Sequence, residues 1–97
     1  MLQSSMHEWQ WYHQAALDAS DTGNLAAAAL LEETTASCVP DDKPRTCGIL
    51  CRSAVSLWLA AGDRDHAIAL GKQYLEDGSL LPGFTIEIRD LLASTLA

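Results

Sequence analysis

The sequence is short of positive charge. Six lysine and arginine residues stand against thirteen aspartate and glutamate residues, which gives a formal net charge of −7. The basic residues are scattered along the chain, at Lys43, Arg45, Arg52, Arg64, Lys72 and Arg89. Nucleic acids and anionic membrane surfaces bind proteins through concentrated positive charge, so we expect neither of them as a partner. A basic protein partner is compatible with this charge.

Long hydrophobic runs are also missing. The longest ones, such as residues 25–31, are far short of the roughly 20 residues that a membrane-spanning helix needs. The first ten residues lack the basic segment followed by an apolar segment that is typical of a secretory signal. We therefore expect no membrane span and a cytoplasmic location. A length of 97 residues and an apolar content of 48% are typical of one small globular domain.

Cysteine is rare, but its three occurrences, Cys38, Cys47 and Cys51, fall within 14 residues. In a reducing compartment they would stay thiols, and a free cysteine is commonly a small buried hydrophobic residue. A bridge from Cys38 to Cys47 or Cys51 is a second interpretation, and a metal or cluster site is a third. The histidines show no ligand spacing beside them. The sequence predicts no metal or cofactor and leaves the state of the thiols open.

Motifs for catalysis are missing too. The chain has no recognisable Ser-His-Asp motif, no glycine-rich phosphate loop and no metal-binding motif on a predicted helix. His7 and His13 are six residues apart and would not share a helical face. The sequence therefore predicts a protein that is not an enzyme.

Helical periodicity is present throughout and predicts an all-α chain of five helices. Ser5 and Glu8 have the spacing of a capping box, from which a first helix would run to about Asp21. Asn24 would cap a second helix that stops near Cys38. These two helices form a predicted hairpin over about 5–38.

The second half of the chain predicts another hairpin and a last helix. A proline-containing loop over 39–43 leads to Pro44, which suits the first turn of a third helix. Gly62 would end that helix, and Asp63 would cap a fourth one that closes at Gly78. The second hairpin thus covers about 44–78. A fifth helix over about 84–96 would cap it.

An internal repeat relates the turns of the two hairpins. The segments "TGNLAAAAL" (22–30) and "AGDRDHAIAL" (61–70) each contain a glycine, a capping residue, and an alanine five places after the glycine. At an offset of 39 residues the alignment pairs Gly23 with Gly62, Asn24 with Asp63, and Ala28 with Ala67. The glycine would turn the chain, the polar residue would cap the next helix, and the alanine would let the helices pack closely.

The block "AAGDRDHAIAL" resembles the middle of a tetratricopeptide repeat (TPR), whose paired antiparallel helices meet at such a glycine. Matching positions of the family pattern over about residues 9–79 are Tyr12, Ala16, Ala28, Pro40, Val55 and Trp58. The loop over 39–43 explains why the offset is 39 where the family repeats after about 34 residues. The chain departs from the pattern at Glu32, Thr35, Gly71, Tyr74 and Ser79. Another bundle of helical hairpins is the alternative fold.

The resemblance implies a surface that binds a protein or a peptide. The family's inward positions, on the first helix of each hairpin, correspond here to Gln10, His13, Leu17, Ile49, Arg52 and Ser56. Arg52 could pair with a carboxylate on a bound peptide. The paired lysines and asparagines with which the family clamps a peptide's terminal carboxylate are absent here. We therefore do not expect that mode of binding.

A further candidate contact is Trp11. Trp9 and Trp11 are separated by about 200° around a helix, so both cannot face the same core. Trp11 shares its side of the helix with mostly polar residues, and nothing in the sequence covers the first hairpin. Aromatic residues are enriched at interfaces, so we expect Trp11 to contact a second copy of the chain or a larger partner.

Together these features predict a non-catalytic interaction module that acts as an adaptor or an assembly subunit. The alternative is a small acidic inhibitor of the immunity or antitoxin type, which would mask a basic partner protein by charge complementarity. A thiol or metal site built on the cysteines is the third interpretation.

Overall fold

The structure, a computed structural model, describes residues 7–96 and contains five α-helices and no strand in that range. The helices are α1 (Glu8–Asp21), α2 (Leu25–Cys38), α3 (Pro44–Ala60), α4 (Arg64–Asp77) and α5 (Pro82–Leu96). The predicted all-α fold with five helices is confirmed.

Each helix packs against its neighbours in the chain. Helix α2 lies between α1 and α3, α3 contacts α4, and α5 packs on both α3 and α4. Within the described residues, α1 contacts α2 alone, and the molecule is elongated, with extents of 51 × 31 × 16 Å. The main core is formed by α2–α5 around Val55, Trp58 and Ile88. Trp9 of α1 packs against the edge of this core.

The turns at Gly23 and Gly62 have the same local structure. Their φ angles are +82° and +87°, in the left-handed region that glycine adopts without steric cost. The N–H of each glycine donates to the carbonyl three residues earlier, at 3.0 and 3.1 Å. Ala28 and Ala67, five residues after each glycine, are fully buried. The sequence repeat is therefore also a repeat of backbone conformation.

The predicted caps of α2 and α4 are confirmed. The Asn24 side chain accepts a hydrogen bond from the N–H of Ala27 at 3.2 Å, and Asp63 accepts one from the N–H of His66 at 3.1 Å. Each cap satisfies one of the backbone donors that the first turn of a helix leaves without a partner. Gly78 ends α4 with a φ of +74°.

Two helix starts differ from the prediction. Helix α1 begins at Glu8, with His7 as its N-cap, and the N–H of His7 donates to the Gln10 side chain at 2.8 Å. Glu8 is therefore the first helical residue and not the third, and Ser5 lies outside the described residues. Helix α5 begins at Pro82, two residues earlier than predicted, because proline is well suited to the first position of a helix.

Two glycines determine how closely α5 approaches the other helices. A methyl group at Gly48 of α3 would overlap the ring of Phe84. A methyl group at Gly71 of α4 would lie 3.0 Å from the terminal carbons of Leu92. Phe84 and Leu92 therefore occupy space that any other residue at positions 48 and 71 would fill, and α5 packs tightly on both helices.

Candidate functional site

The structure separates the residues of the predicted groove into two groups. Gln10, His13 and Leu17 lie on α1, and Ile49, Arg52 and Ser56 lie on α3. Helices α1 and α3 do not contact each other, and α2 lies against both. The two groups therefore do not line one groove between adjacent helices.

On α1, His13 is engaged within the molecule. Its Nδ1 atom lies 3.0 Å from Oε1 of Glu32, whose side chain is buried between the helices. A buried carboxylate needs such a partner, because burial without one is costly. Gln10 accepts the hydrogen bond of the helix cap at His7, and Leu17 is exposed. Two of these three predicted residues thus have structural partners.

On α3, the predicted residues line a groove against α5. Two cavities of about 280 and 410 Å³ lie between these helices, and Arg52 and Glu87 line both of them. Ser56 lines the smaller cavity, and Ile49 lines the larger one. We call this surface the α3–α5 groove and define it by Arg45, Ile49, Arg52, Ser56, Leu81, Phe84, Glu87 and Leu91.

Arg52 is the central polar group of the α3–α5 groove. One terminal nitrogen lies 3.4 Å from Oε1 of Glu87, which is an ion-pair distance but long for a hydrogen bond. Its Nε atom is buried and has no hydrogen-bond partner among the described residues. Ile49 and Leu81, 41% and 40% exposed, border the same groove. The groove therefore combines the partly exposed guanidinium group of Arg52 with exposed apolar side chains.

Trp11 lies on the outer face of α1 and is 60% exposed, the largest exposed fraction among the large hydrophobic residues of the described range. Trp9, two residues away, is half-buried and packs against the core. The two tryptophans thus lie on different sides of α1, as their angular separation requires.

Sequence reasoning missed a cluster centred on Glu33. The Nε1–H of Trp58 donates to Oε1 of Glu33 at 2.9 Å, and Nε2 of His66 lies 2.8 Å from the same oxygen. The rings of Trp58 and His66 stack with their centroids 4.0 Å apart. Because the three residues come from α2, α3 and α4, this cluster connects three helices.

A further cavity of about 700 Å³ opens between α2, α3 and α4. We call it the α2–α3–α4 cavity. Its lining includes Cys47 and Cys51, whose sulfur atoms lie 4.0 Å apart. All three cysteines, including Cys38, are free thiols, so no bridge joins them. Four carboxylates also line the cavity, from Glu33, Asp41, Glu76 and Asp77.

Cys51 and Tyr74 are protonated at neutral pH. Burial, followed by the neighbouring Cys47, raises the pKa of the Cys51 thiol from 9.0 to about 12. Burial, followed by the charge that Cys51 would carry, raises the pKa of Tyr74 well above its ordinary value. The nearby Tyr74 hydroxyl acts in the other direction and lowers the pKa of Cys51. No group of three or more His, Cys, Asp or Glu side chains within residues 7–96 is arranged to hold a metal ion.

Neither a membrane-spanning helix nor a similarity to a known protein adds a further candidate site among the described residues. Over the described residues, no helix combines the length and the apolar character that crossing a bilayer demands. Comparison of the chain with protein-family models, with curated proteins and with solved structures finds no match. The candidate surfaces are those that the geometry provides: the α3–α5 groove, the exposed Trp11 and the α2–α3–α4 cavity.

Proposed function

We propose that this chain is a non-catalytic protein-binding module, an adaptor or assembly subunit, which holds a segment of a partner protein in the α3–α5 groove. The partly exposed guanidinium group of Arg52, beside exposed apolar side chains, carries the proposal. The segment expected there has a large apolar residue next to a carboxylate. The TPR-like interpretation of the chain is part of this proposal and rests on the sequence pattern around Gly23 and Gly62.

The α3 side of the groove favours an acidic segment, whereas Glu87 and Asp90 line its α5 side. Although the chain carries a net charge of −7, α3 contains no acidic residue and contributes Arg45 and Arg52 to the groove. Arginine can form two parallel hydrogen bonds with a carboxylate, and a partner's carboxylate would compete with the long contact to Glu87. Contact with Ile49 and Leu81 would add apolar burial, which supplies most of the affinity at such sites.

The test is a selection from a displayed random-peptide library with the purified chain as bait. We expect the enriched peptides to combine acidic and large apolar residues. A synthetic copy of one such peptide should lose binding to Ile49→Asp, because the new carboxylate repels the acidic segment and removes the apolar contact. Leu30→Asp is the matched control, since Leu30 is also exposed but lies on α2. Isothermal titration calorimetry measures both affinities.

Two outcomes would contradict this proposal. One is a peptide that binds Ile49→Asp and Arg52→Ala as tightly as the original chain while circular dichroism shows unchanged helicity. The other is a selection dominated by basic peptides, which would support the acidic inhibitor of a basic partner instead.

Trp11 supports a second contact, with another copy of the chain through the first hairpin. Burial of an aromatic side chain at the centre of an interface often contributes more than about 2 kcal/mol to binding. We expect the chain to dimerise in solution and Trp11→Ala to be monomeric at the same concentration, as measured by light scattering. Ile86→Ala should leave the dimer intact, because Ile86 is also exposed but lies on α5. A chain that stays monomeric at high concentration would remove this contact from the proposal.

A further inference from the structure

The α2–α3–α4 cavity contains a pair of thiols that the proposed binding function does not use. Cys47 and Cys51 project from one face of α3 into this cavity, with their sulfur atoms 4.0 Å apart. Cys47 is partly exposed, and Cys51 is buried. Because both side chains line the cavity, an ion that enters from its open side can reach both sulfur atoms.

The separation of the sulfur atoms fits a bridging metal ion. With metal–sulfur bonds of about 2.3 Å, a distance of 4.0 Å corresponds to a sulfur–metal–sulfur angle of about 120°. A small rotation of either side chain would open this angle towards a linear arrangement. The pair can therefore hold one ion without movement of the α3 backbone.

The number and kind of ligands select the ion. Structural zinc sites use four ligands, whereas no third His, Cys, Asp or Glu side chain among residues 7–96 completes a site with this pair. Soft thiolates with few other ligands favour Cu(I). The four carboxylates around the cavity attract cations without being soft ligands themselves. We propose that Cys47 and Cys51 form a two-thiolate binding site for Cu(I).

Binding proceeds by exchange of protons for the metal. Each thiol gives up its proton to solvent, two S–H bonds break, and two copper–sulfur bonds form, so copper remains Cu(I) throughout. Burial raises the pKa of the Cys51 thiol, and the hydroxyl of Tyr74, which lines the same cavity, partly offsets that rise. Tyr74 is therefore a positioning residue that acts on the metal through Cys51.

The test uses the reduced chain and Cu(I) supplied as its coloured bicinchoninate complex. Transfer of Cu(I) to the protein is followed by loss of the colour. We expect the original chain and Cys38→Ser to take up one equivalent, and Cys47→Ser and Cys51→Ser to take up none. Tyr74→Phe should keep the stoichiometry but bind about tenfold more weakly, the usual effect of changing an outer group that acts on a metal ligand.

Matched controls separate a specific site from general thiol binding. Cys38→Ser removes a thiol outside the cavity, so equal losses in Cys38→Ser and Cys47→Ser would overturn the proposal. Failure of the original chain to take Cu(I) from the complex would overturn it as well. If Cys51→Ser does not fold, Cys47→Ser decides the result, because Cys47 is partly exposed and its replacement should preserve the helicity seen by circular dichroism.

Discussion

Replacement of Glu33 by alanine is expected to lower the free energy of unfolding by about 2–4 kcal/mol. One oxygen of its carboxylate makes hydrogen bonds with side chains of two other helices, and alanine removes both bonds. Trp58 and His66 both contact Oε1 of Glu33, at 2.9 and 2.8 Å. Hydrogen bonds to charged groups contribute about 1.5–3 kcal/mol each, and the partial exposure of Glu33 keeps their sum below the maximum. Urea unfolding followed by circular dichroism measures the change, a large one for a domain stable by about 5–15 kcal/mol.

Two variants establish that the effect comes from the shared oxygen. Glu33→Gln keeps a carbonyl oxygen that can accept from Trp58, so its loss of stability should be smaller than that of Glu33→Ala. Glu76→Ala removes an exposed carboxylate of α4 and should change the stability by no more than about 0.5 kcal/mol. The interpretation fails if Glu33→Ala and Glu76→Ala lower the free energy of unfolding by the same amount.

The Glu33 cluster also illustrates what the sequence could not predict. Glu33 is 25 residues from Trp58 and 33 residues from His66. No periodic pattern relates residues on three different helices, since their meeting depends on how α2, α3 and α4 pack. Trp58 was assigned to a family position, and that assignment gave no indication of its hydrogen bond.

The turns and caps were predictable because their causes are local. A glycine with positive φ and a polar side chain that accepts an N–H three residues later need only neighbouring residues. The start of α1 was predicted wrongly because two residue pairs near it fit the same local pattern. Ser5–Glu8 and His7–Gln10 have the same spacing, and the sequence pattern favoured the pair with the commoner capping residue.

The candidate groove was predictable in part. The spacing of Ile49, Arg52 and Ser56 places them along one side of α3, and the structure shows all three lining cavities there. Their opposite wall is α5 and not α1, because α1 contacts only α2 within the described residues. The contact between Arg52 and Glu87 depends on the position of α5, which no motif indicates.

Glycine is a poor helix former, but the structure gives Gly48 a specific role in the packing of α5 on α3. Gly48→Val should therefore destabilise the fold, even though replacing a helical glycine with a better helix former often stabilises by about 1 kcal/mol. The added side chain would overlap Phe84, and overpacking of this kind costs about 1–3 kcal/mol. Urea unfolding measures the net change. Because Phe84 also lines the α3–α5 groove, peptide binding should weaken in the same variant.

The control for Gly48→Val is Gly83→Ala, since a methyl group at Gly83 meets no atom within 4 Å. That variant should be unchanged or more stable by up to about 1 kcal/mol. The decisive measurement is whether the effect of Gly48→Val depends on Phe84. In a Phe84→Ala background the space beside position 48 is empty. Gly48→Val should then lower the free energy of unfolding much less than it does in the original chain. Equal costs in the two backgrounds would mean that Phe84 does not lie against position 48. In that case α5 would not pack as described, and the groove between α3 and α5 would not have the shape that the proposed binding requires.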